Sequence, residues 1–128
     1  LALASCNLTQ FGQLIKKQTG KSPLAYIGYG CCCVLGSKEP LDATDRCCHA
    51  HHCCYKKLVS SGCSPKTATY QYGFRGDVMM CGTGDWCTRE TCGCDKKAVE
   101  CFQSAASTYH KSYENYPRSK CKGRAPSC

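Results

Sequence analysis

Cys47-Cys48-His49-Ala50-His51-His52-Cys53-Cys54-Tyr55 is the stretch on which the reading of this chain turns. Two cysteine pairs bracket three histidines, and the wider sequence repeats the density, with 16 cysteines in 128 residues. That share marks a disulfide scaffold. The rival use, metal binding, shows as repeated Cys-x-x-Cys knuckles. The chain has none, and Cys92-Gly93-Cys94 is spaced too closely. An oxidising, extracellular setting follows. No apolar run approaches the ~20 residues that span a bilayer. The opening Leu1-Ala2-Leu3-Ala4-Ser5-Cys6 resembles the tail of a signal peptide, which makes 1–6 a leader remnant and 7–128 a single domain.

The net charge of +8 directs the chain toward anionic surfaces such as acidic phospholipid, heparan sulfate or bacterial envelopes. The tail concentrates the bases, with Lys111, Arg118, Lys120, Lys122 and Arg124 interleaved with Tyr109, Tyr113 and Tyr116. Lys16 and Lys17 add a second basic pair. Nucleic acid is a poor partner for a secreted chain with no recognisable binding module.

Three helical segments stand out. The first runs from Thr9 to Thr19, with Leu8, Phe11, Leu14 and Ile15 at helical spacing, Asn7 or Thr9 as cap and Gly20 as stop. The second runs from Asp42 to Ser60, capped by Asp42 or Thr44 and stopped by Gly62. The third runs from Arg89 to Tyr113. Between the last two, Thr67 to Phe74 alternates as a strand, and Arg75-Gly76-Asp77 reads as a hairpin turn rather than an integrin motif.

Cys47 and Cys54 are seven residues apart, two turns on one helix face, and so are Cys94 and Cys101. Assuming that Cys47 pairs with Cys101 and Cys54 with Cys94, the index sums are equal, which describes antiparallel helices in one register. Spacing alone does not select this pairing. Under it, Asp95 falls ~3 Å along the axis from the level of His51. His51 shares a face with Cys47 and Tyr55. A histidine with one ring nitrogen fixed by a carboxylate has the other free to act on water. His49 and His52, at i and i+3, form an acceptable pair of zinc ligands, but no third ligand is evident and a surface pair is the plainer reading.

These residues resemble secreted phospholipase A2, and the group II branch in particular. The resemblance rests on Asn7-Leu8-Thr9-Gln10-Phe11, Tyr29-Gly30-Cys31, Asp42-Ala43-Thr44-Asp45-Arg46-Cys47-Cys48, His51 with Cys53-Cys54-Tyr55, Pro65-Lys66-Thr67, Tyr70-Gln71-Tyr72, and Cys92-Gly93-Cys94-Asp95-Lys96. It also includes the extension ending in Cys128. It implies a mainly α, disulfide-rich fold: three main helices, two of them long, antiparallel and disulfide-linked, with a small two-stranded β-wing and a calcium loop. It implies a calcium-dependent esterase acting on the sn-2 bond of glycerophospholipids at a membrane. His51 takes the place of the general base, Asp95 of its orienting carboxylate, and Tyr55 and Tyr70 of the supporting tyrosines. Leu8, Phe11 and Ile15 match the wall of the acyl-chain channel, and the same stripe also reads as a core face. The implied disulfides are Cys31–Cys121, Cys33–Cys48, Cys47–Cys101, Cys53–Cys128, Cys54–Cys94, Cys63–Cys87 and Cys81–Cys92. Cys6 and Cys32 are left over, to join each other, remain free, or link a homodimer.

Two departures fall on the calcium site, whose ligands correspond to Cys32, Val34, Gly36 and His52. The family carries Asp, the main calcium carboxylate, where this chain has His52. Its loop reads Cys-Gly-x-Gly-Gly-x-Gly before Pro, whereas this chain reads Cys33-Val34-Leu35-Gly36-Ser37-Lys38-Glu39-Pro40, one residue shorter with one glycine. Glycine lets carbonyls turn toward an ion through positive φ, which β-branched Val34 resists. Gly36 and an oxygen from Glu39 are the donors that a weak site would retain. The expected protein is therefore a homologue with little or no esterase activity that binds or perturbs anionic membranes. The alternative is an active calcium-dependent enzyme using His51 and Asp95.

Overall fold

The computed structural model describes residues 8–33 and 37–128, without the side chain of Leu8. Cys6, Asn7, Val34 and Gly36 lie outside the described residues, as does any cap that Asn7 provides.

Helix α1 (Leu8–Thr19) buries Phe11, Leu14 and Ile15 and packs on α4. Thr9 sits within it and is not its cap. Gly20, at φ +75°, closes the helix by donating to the Lys16 carbonyl. A short α2 (Leu24–Ile27), unmarked by any sequence period, brings Tyr26 into the core. Helix α3 (Ala43–Ser60) starts at Asp42, whose carboxylate accepts from the Asp45 amide at 2.9 Å. Thr44 lies inside the helix and is buried, so Asp42 is the cap.

The hairpin is shorter than its Thr- and Tyr-rich sequence suggests. Strand β1 (Tyr72–Arg75) pairs antiparallel with β2 (Val78–Cys81), and Arg75 faces Val78 across a turn that places Gly76 at φ +60°. Residues 67–71 are not strand. The Gln10 side chain takes both backbone groups of Tyr70, donating to its carbonyl at 2.6 Å and accepting from its amide at 3.1 Å. A side chain of α1 thus replaces a neighbouring strand and holds Tyr70 in place.

Helix α4 (Trp86–Ser104) begins earlier and ends earlier than the sequence suggests. Asp85 caps it by accepting from the Thr88 amide at 2.8 Å. Beyond Ser104 the chain breaks into 3₁₀ turns at Ala106–Thr108 and Lys111–Tyr113. Tertiary contacts override helix continuation here. The Tyr109 ring lies 4.7 Å from that of Tyr29, and its hydroxyl donates to the Ala25 carbonyl. His110 reaches Asp42 at 3.2 Å.

Seven disulfides are present among the described residues: Cys31–Cys121, Cys33–Cys48, Cys47–Cys101, Cys53–Cys128, Cys54–Cys94, Cys63–Cys87 and Cys81–Cys92. The two that join α3 to α4 have equal index sums, so the helices run antiparallel. Among the described residues no helix is long and apolar enough to cross a membrane.

The segment before α3 is held by one carboxylate. Asp45, fully buried, accepts from the amides of Cys31 (2.8 Å), Cys32 (2.7 Å), Cys33 (3.2 Å) and Leu41 (2.9 Å). Gly30, at φ +59°, lets the chain pass this close, because a β-carbon there would lie 2.4 Å from the carboxylate. Positive φ alone costs a non-glycine residue ~1–2 kcal/mol. Gly30→Ala is therefore expected to destabilise the oxidised protein by about 2–4 kcal/mol in guanidinium unfolding.

Candidate functional site

The cross-linked helices and the segment before β1 bring three hydroxyl- or nitrogen-bearing side chains onto one buried carboxylate. His51 on α3 and Asp95 on α4 are both nearly inaccessible, and His51 Nε2 lies 2.7 Å from Asp95 Oδ1. An ionised carboxylate only accepts, so Nε2 carries the hydrogen and Nδ1 is the basic nitrogen. Tyr55, one turn beyond His51, donates to Asp95 Oδ1 at 2.6 Å. Tyr70 donates to Oδ2, also at 2.6 Å. Asp95 is thus fixed through both oxygens, and it fixes the imidazole in turn.

The ring is also held by stacking. Phe11 lies parallel to it, with centroids 4.4 Å apart and planes 15° apart. Tyr55 is tilted against it at 4.3 Å. Phe11 and Ile15 are both buried core residues of α1, so the wall beside the histidine is apolar. Such an arrangement orients a general base in a dry setting and leaves one basic nitrogen for a proton transfer.

His52, the next residue, projects elsewhere. It is half-buried and borders two surface depressions, one with Lys38, His49, Lys56 and Arg124, the other with Tyr55, Lys56, Pro65 and Lys66. Burial pushes its pKa below the usual histidine value, and positive neighbours including His49, Lys56 and Lys66 push the same way. The imidazole is therefore neutral at physiological pH, a single nitrogen donor. Cys32, at the other edge of the corresponding loop, is buried, and its amide is taken by Asp45. Glu39 lies against the tail, its Oε2 2.7 Å from the place of a β-carbon at Gly123. Among the described residues, His49, Cys53 and Cys128 are the one close group of potential metal donors. Cys53 and Cys128 are joined as a disulfide, which removes both thiolates.

The Cys32 thiol donates to the Lys38 carbonyl at 3.1 Å. Burial, then the charge of Asp45, pushes its pKa up to about 12. The Cys32 thiol is thus buried and held protonated rather than presented at the surface. Cys6 lies outside the described residues.

The expected membrane-facing residues separate into two kinds. Lys111, Arg118, Lys120, Lys122 and Arg124 are exposed. Tyr113 and Tyr116 are half-buried, ring against ring at 5.5 Å, and Tyr113 also edges onto Tyr29. Lys16 donates to the Gly20 carbonyl, and Lys17 lies 4.6 Å from the centre of the Phe74 ring. Tyr113 thus ties the tail to the body of the protein, and Tyr116 packs on Tyr113.

Sequence reasoning missed Gln10, which positions Tyr70, and Asp45, which ties down the loop. Both lie within the matched motifs, but no role was read for either. The signal for Asp45 was a charged residue on the buried side of a capped helix.

Comparison with known proteins gives one consistent answer. The family described as Phospholipase A2 matches residues 8–114. The chain is 48% identical to a basic phospholipase A2, Ts-G6D49, of Trimeresurus stejnegeri, over 95% of this chain and 100% of that protein. It is 46% identical to the group IIE secretory phospholipase A2 of Mus musculus, over 98% and 89% respectively. It is also 46% identical to a basic phospholipase A2 homolog, Vur-S49, of Vipera renardi, over 95% and 88%.

Two outcomes follow from the geometry. A hydrogen bond to a carboxylate contributes ~1.5–3 kcal/mol, so Tyr55→Phe and Tyr70→Phe are each expected to destabilise by about that amount. Their double mutant should depart from additivity, since both act on Asp95. In the native state, Cys32 should resist alkylation at mildly alkaline pH and react once the chain is unfolded, as read by peptide mass mapping.

Proposed function

The chain belongs to the secreted phospholipase A2 family, which acts on phospholipid membrane surfaces with calcium as cofactor, and on that premise we propose that this member is a homologue with little or no calcium-dependent sn-2 esterase activity that binds or perturbs anionic membranes. The observation that carries the reading is His52, a half-buried imidazole with depressed proton affinity at the position of the family's calcium carboxylate.

Calcium is a hard cation bound through oxygen, with carboxylates supplying the charge. A neutral imidazole supplies one nitrogen and no charge. That exchange costs at least ~3 kcal/mol, about two decades in affinity. The donor set therefore does not fit calcium. The loop is a second, independent fault in sequence, since Val34 stands where the family has glycine. In the family the same loop supplies a donor to the reacting oxyanion, so its alteration weakens catalysis as well as binding. Membrane action is supported by the charge of +8 and by the exposed bases of the tail. Phe11 and Ile15 remain as channel wall, and Leu8 matches the same wall in sequence.

One observation favours the alternative of an active calcium-dependent enzyme. The His51–Asp95–Tyr55–Tyr70 constellation is complete. In that reading His51 Nδ1 takes a proton from water, and Asp95 stabilises the imidazolium that forms. The constellation also has a purely structural role, since it fills the space between α3 and α4, which explains its retention without turnover.

Fatty-acid release and dye leakage from phosphatidylglycerol vesicles, each with calcium and with chelator, separate the two. The proposal expects leakage that persists in chelator and is unchanged by His51→Gln, with negligible fatty-acid release. Calcium-dependent release abolished by His51→Gln would establish the active reading. Absence of leakage would remove the membrane-perturbing one.

A further inference from the structure

Helix α3 carries a cluster of soft donors that the His51 site does not use. His49 and Cys53 are one turn apart on it, and a disulfide brings Cys128 of the tail against them. One ring nitrogen of His49 and the two sulfurs all lie within 4.8 Å of one another. His49 Nε2 is 3.7 Å from Cys53 Sγ. Two ligands of a tetrahedral zinc ion, with Zn–N at about 2.0 Å and Zn–S at about 2.3 Å, stand about 3.6 Å apart. His49 Nδ1 is buried and has no hydrogen-bond partner among the described residues, so that nitrogen does not turn the ring toward another group.

In the oxidised protein the two sulfurs are bonded to each other and neither is a thiolate. Among the disulfides of the described residues, Cys53–Cys128 is the one with no buried cysteine: Cys53 is half-buried and Cys128 exposed. Each of the other six has at least one buried partner. Access governs attack on a disulfide, so an external reductant reaches this bond first. Opening it does not release the tail. Cys31–Cys121, buried at both ends, holds the chain seven residues before Cys128. The Glu39 amide donates to the Lys122 carbonyl at 3.0 Å, and the Ala125 amide to the Ser37 carbonyl at 3.2 Å. Cys128 therefore stays within reach of Cys53.

We propose that Cys53–Cys128 is a reducible clasp whose dithiol form binds zinc through His49, Cys53 and Cys128. An external dithiol supplies the two electrons. One of its thiolates attacks the exposed Cys128 sulfur and expels Cys53 as a thiolate. Its second thiol resolves the mixed disulfide, which leaves Cys128 reduced and the dithiol oxidised to its own disulfide. Zinc then binds two thiolates and a neutral imidazole, and the two thiol protons are released. Lys38, Lys56 and Arg124 line the depression that holds His49 and Cys128. These cations favour thiolate over thiol. The cleft thus repels cations while oxidised and gains two negative charges on reduction. His52 borders the same depression and offers a nitrogen for the fourth position. Zinc then takes over from the disulfide in fastening residues 122–128 to α3, whether or not His51 turns over substrate.

Limited reduction of the native protein with dithiothreitol, followed by alkylation and peptide mass mapping, tests the first half. Cys53 and Cys128 should label before any other bonded cysteine. Native mass spectrometry of this two-thiol form, freed of reductant and mixed with zinc chloride, tests the second. One zinc ion should bind with loss of two protons, and the oxidised protein should take none at the same concentration. Loss of an outer-shell partner alone costs zinc sites about 10–100-fold, so removal of a ligand by His49→Ala should weaken binding by more than about a hundred-fold. Lys57→Ala, on the same helix outside the cluster, should leave it unchanged. If His49→Ala fails to fold, His49→Gln carries the comparison. Amide exchange in 122–128 should quicken on reduction and slow again with zinc. The inference is overturned if another disulfide opens first, if the two-thiol form takes up no zinc, or if the His49 variant binds zinc as tightly as the unaltered protein.

Discussion

The pair of disulfides between α3 and α4 is the constraint on which the rest of the molecule depends. Cys47–Cys101 and Cys54–Cys94 fix register, direction and separation of the two long helices at once. Only in that register do His51, Tyr55 and Asp95 meet. A buried carboxylate without partners is strongly unfavourable. Here it is surrounded by three donors held on rigid elements, and the third, Tyr70, is held there by Gln10 of α1. The covalent clamp and the hydrogen-bond network therefore support each other. Each cross-link also lowers the entropy of the unfolded chain, by an amount worth ~2–4 kcal/mol for a typical disulfide. A small domain with a thin core needs that contribution.

Helix α3 presents two chemistries on nearly opposite faces. Its inner face carries Cys47, His51 and Tyr55, closed in against α4 and α1. Its outer face carries His49, His52, Cys53, Lys56 and Lys57, which border solvent and the tail. His52 stands at the boundary, adjacent in sequence to the base yet exposed to a basic cleft rather than to a carboxylate. The neutral imidazole leaves that boundary without a negative charge, among Lys38, Lys56 and Arg124. A position that holds an acid in the family becomes part of a surface that repels cations and attracts anions. The proposed loss of calcium binding draws on this change.

Much of this was legible in the sequence because it was periodic or paired. Seven-residue cysteine spacings on two helices, taken with the pairing that the family resemblance implies, described the antiparallel register and with it the approach of His51 to Asp95. Caps such as Asp42 and stops such as Gly20 are local and were readable. What escaped was decided by distant contacts. The third helix ends at Ser104 because Tyr109 and His110 fold back onto Tyr29, Ala25 and Asp42, and no local breaker announces it. The strand stops short at Tyr72 because a glutamine sixty residues away takes the backbone of Tyr70. Tyr113 and Tyr116 read as interfacial anchors, and the contact of the Tyr113 ring with Tyr29 was not legible beside that reading. The basic depression beside His52 assembles from the loop before α3, that helix and the tail, so no window of sequence contains it.

The account stands or falls on whether the metal seat beside an intact base is empty in solution. Equilibrium dialysis of the oxidised protein against radiolabelled calcium measures this directly, without substrate or membrane. The account predicts no saturable binding up to millimolar calcium, the range of weak extracellular sites. Stoichiometric binding below that range, competed by unlabelled calcium, would contradict it.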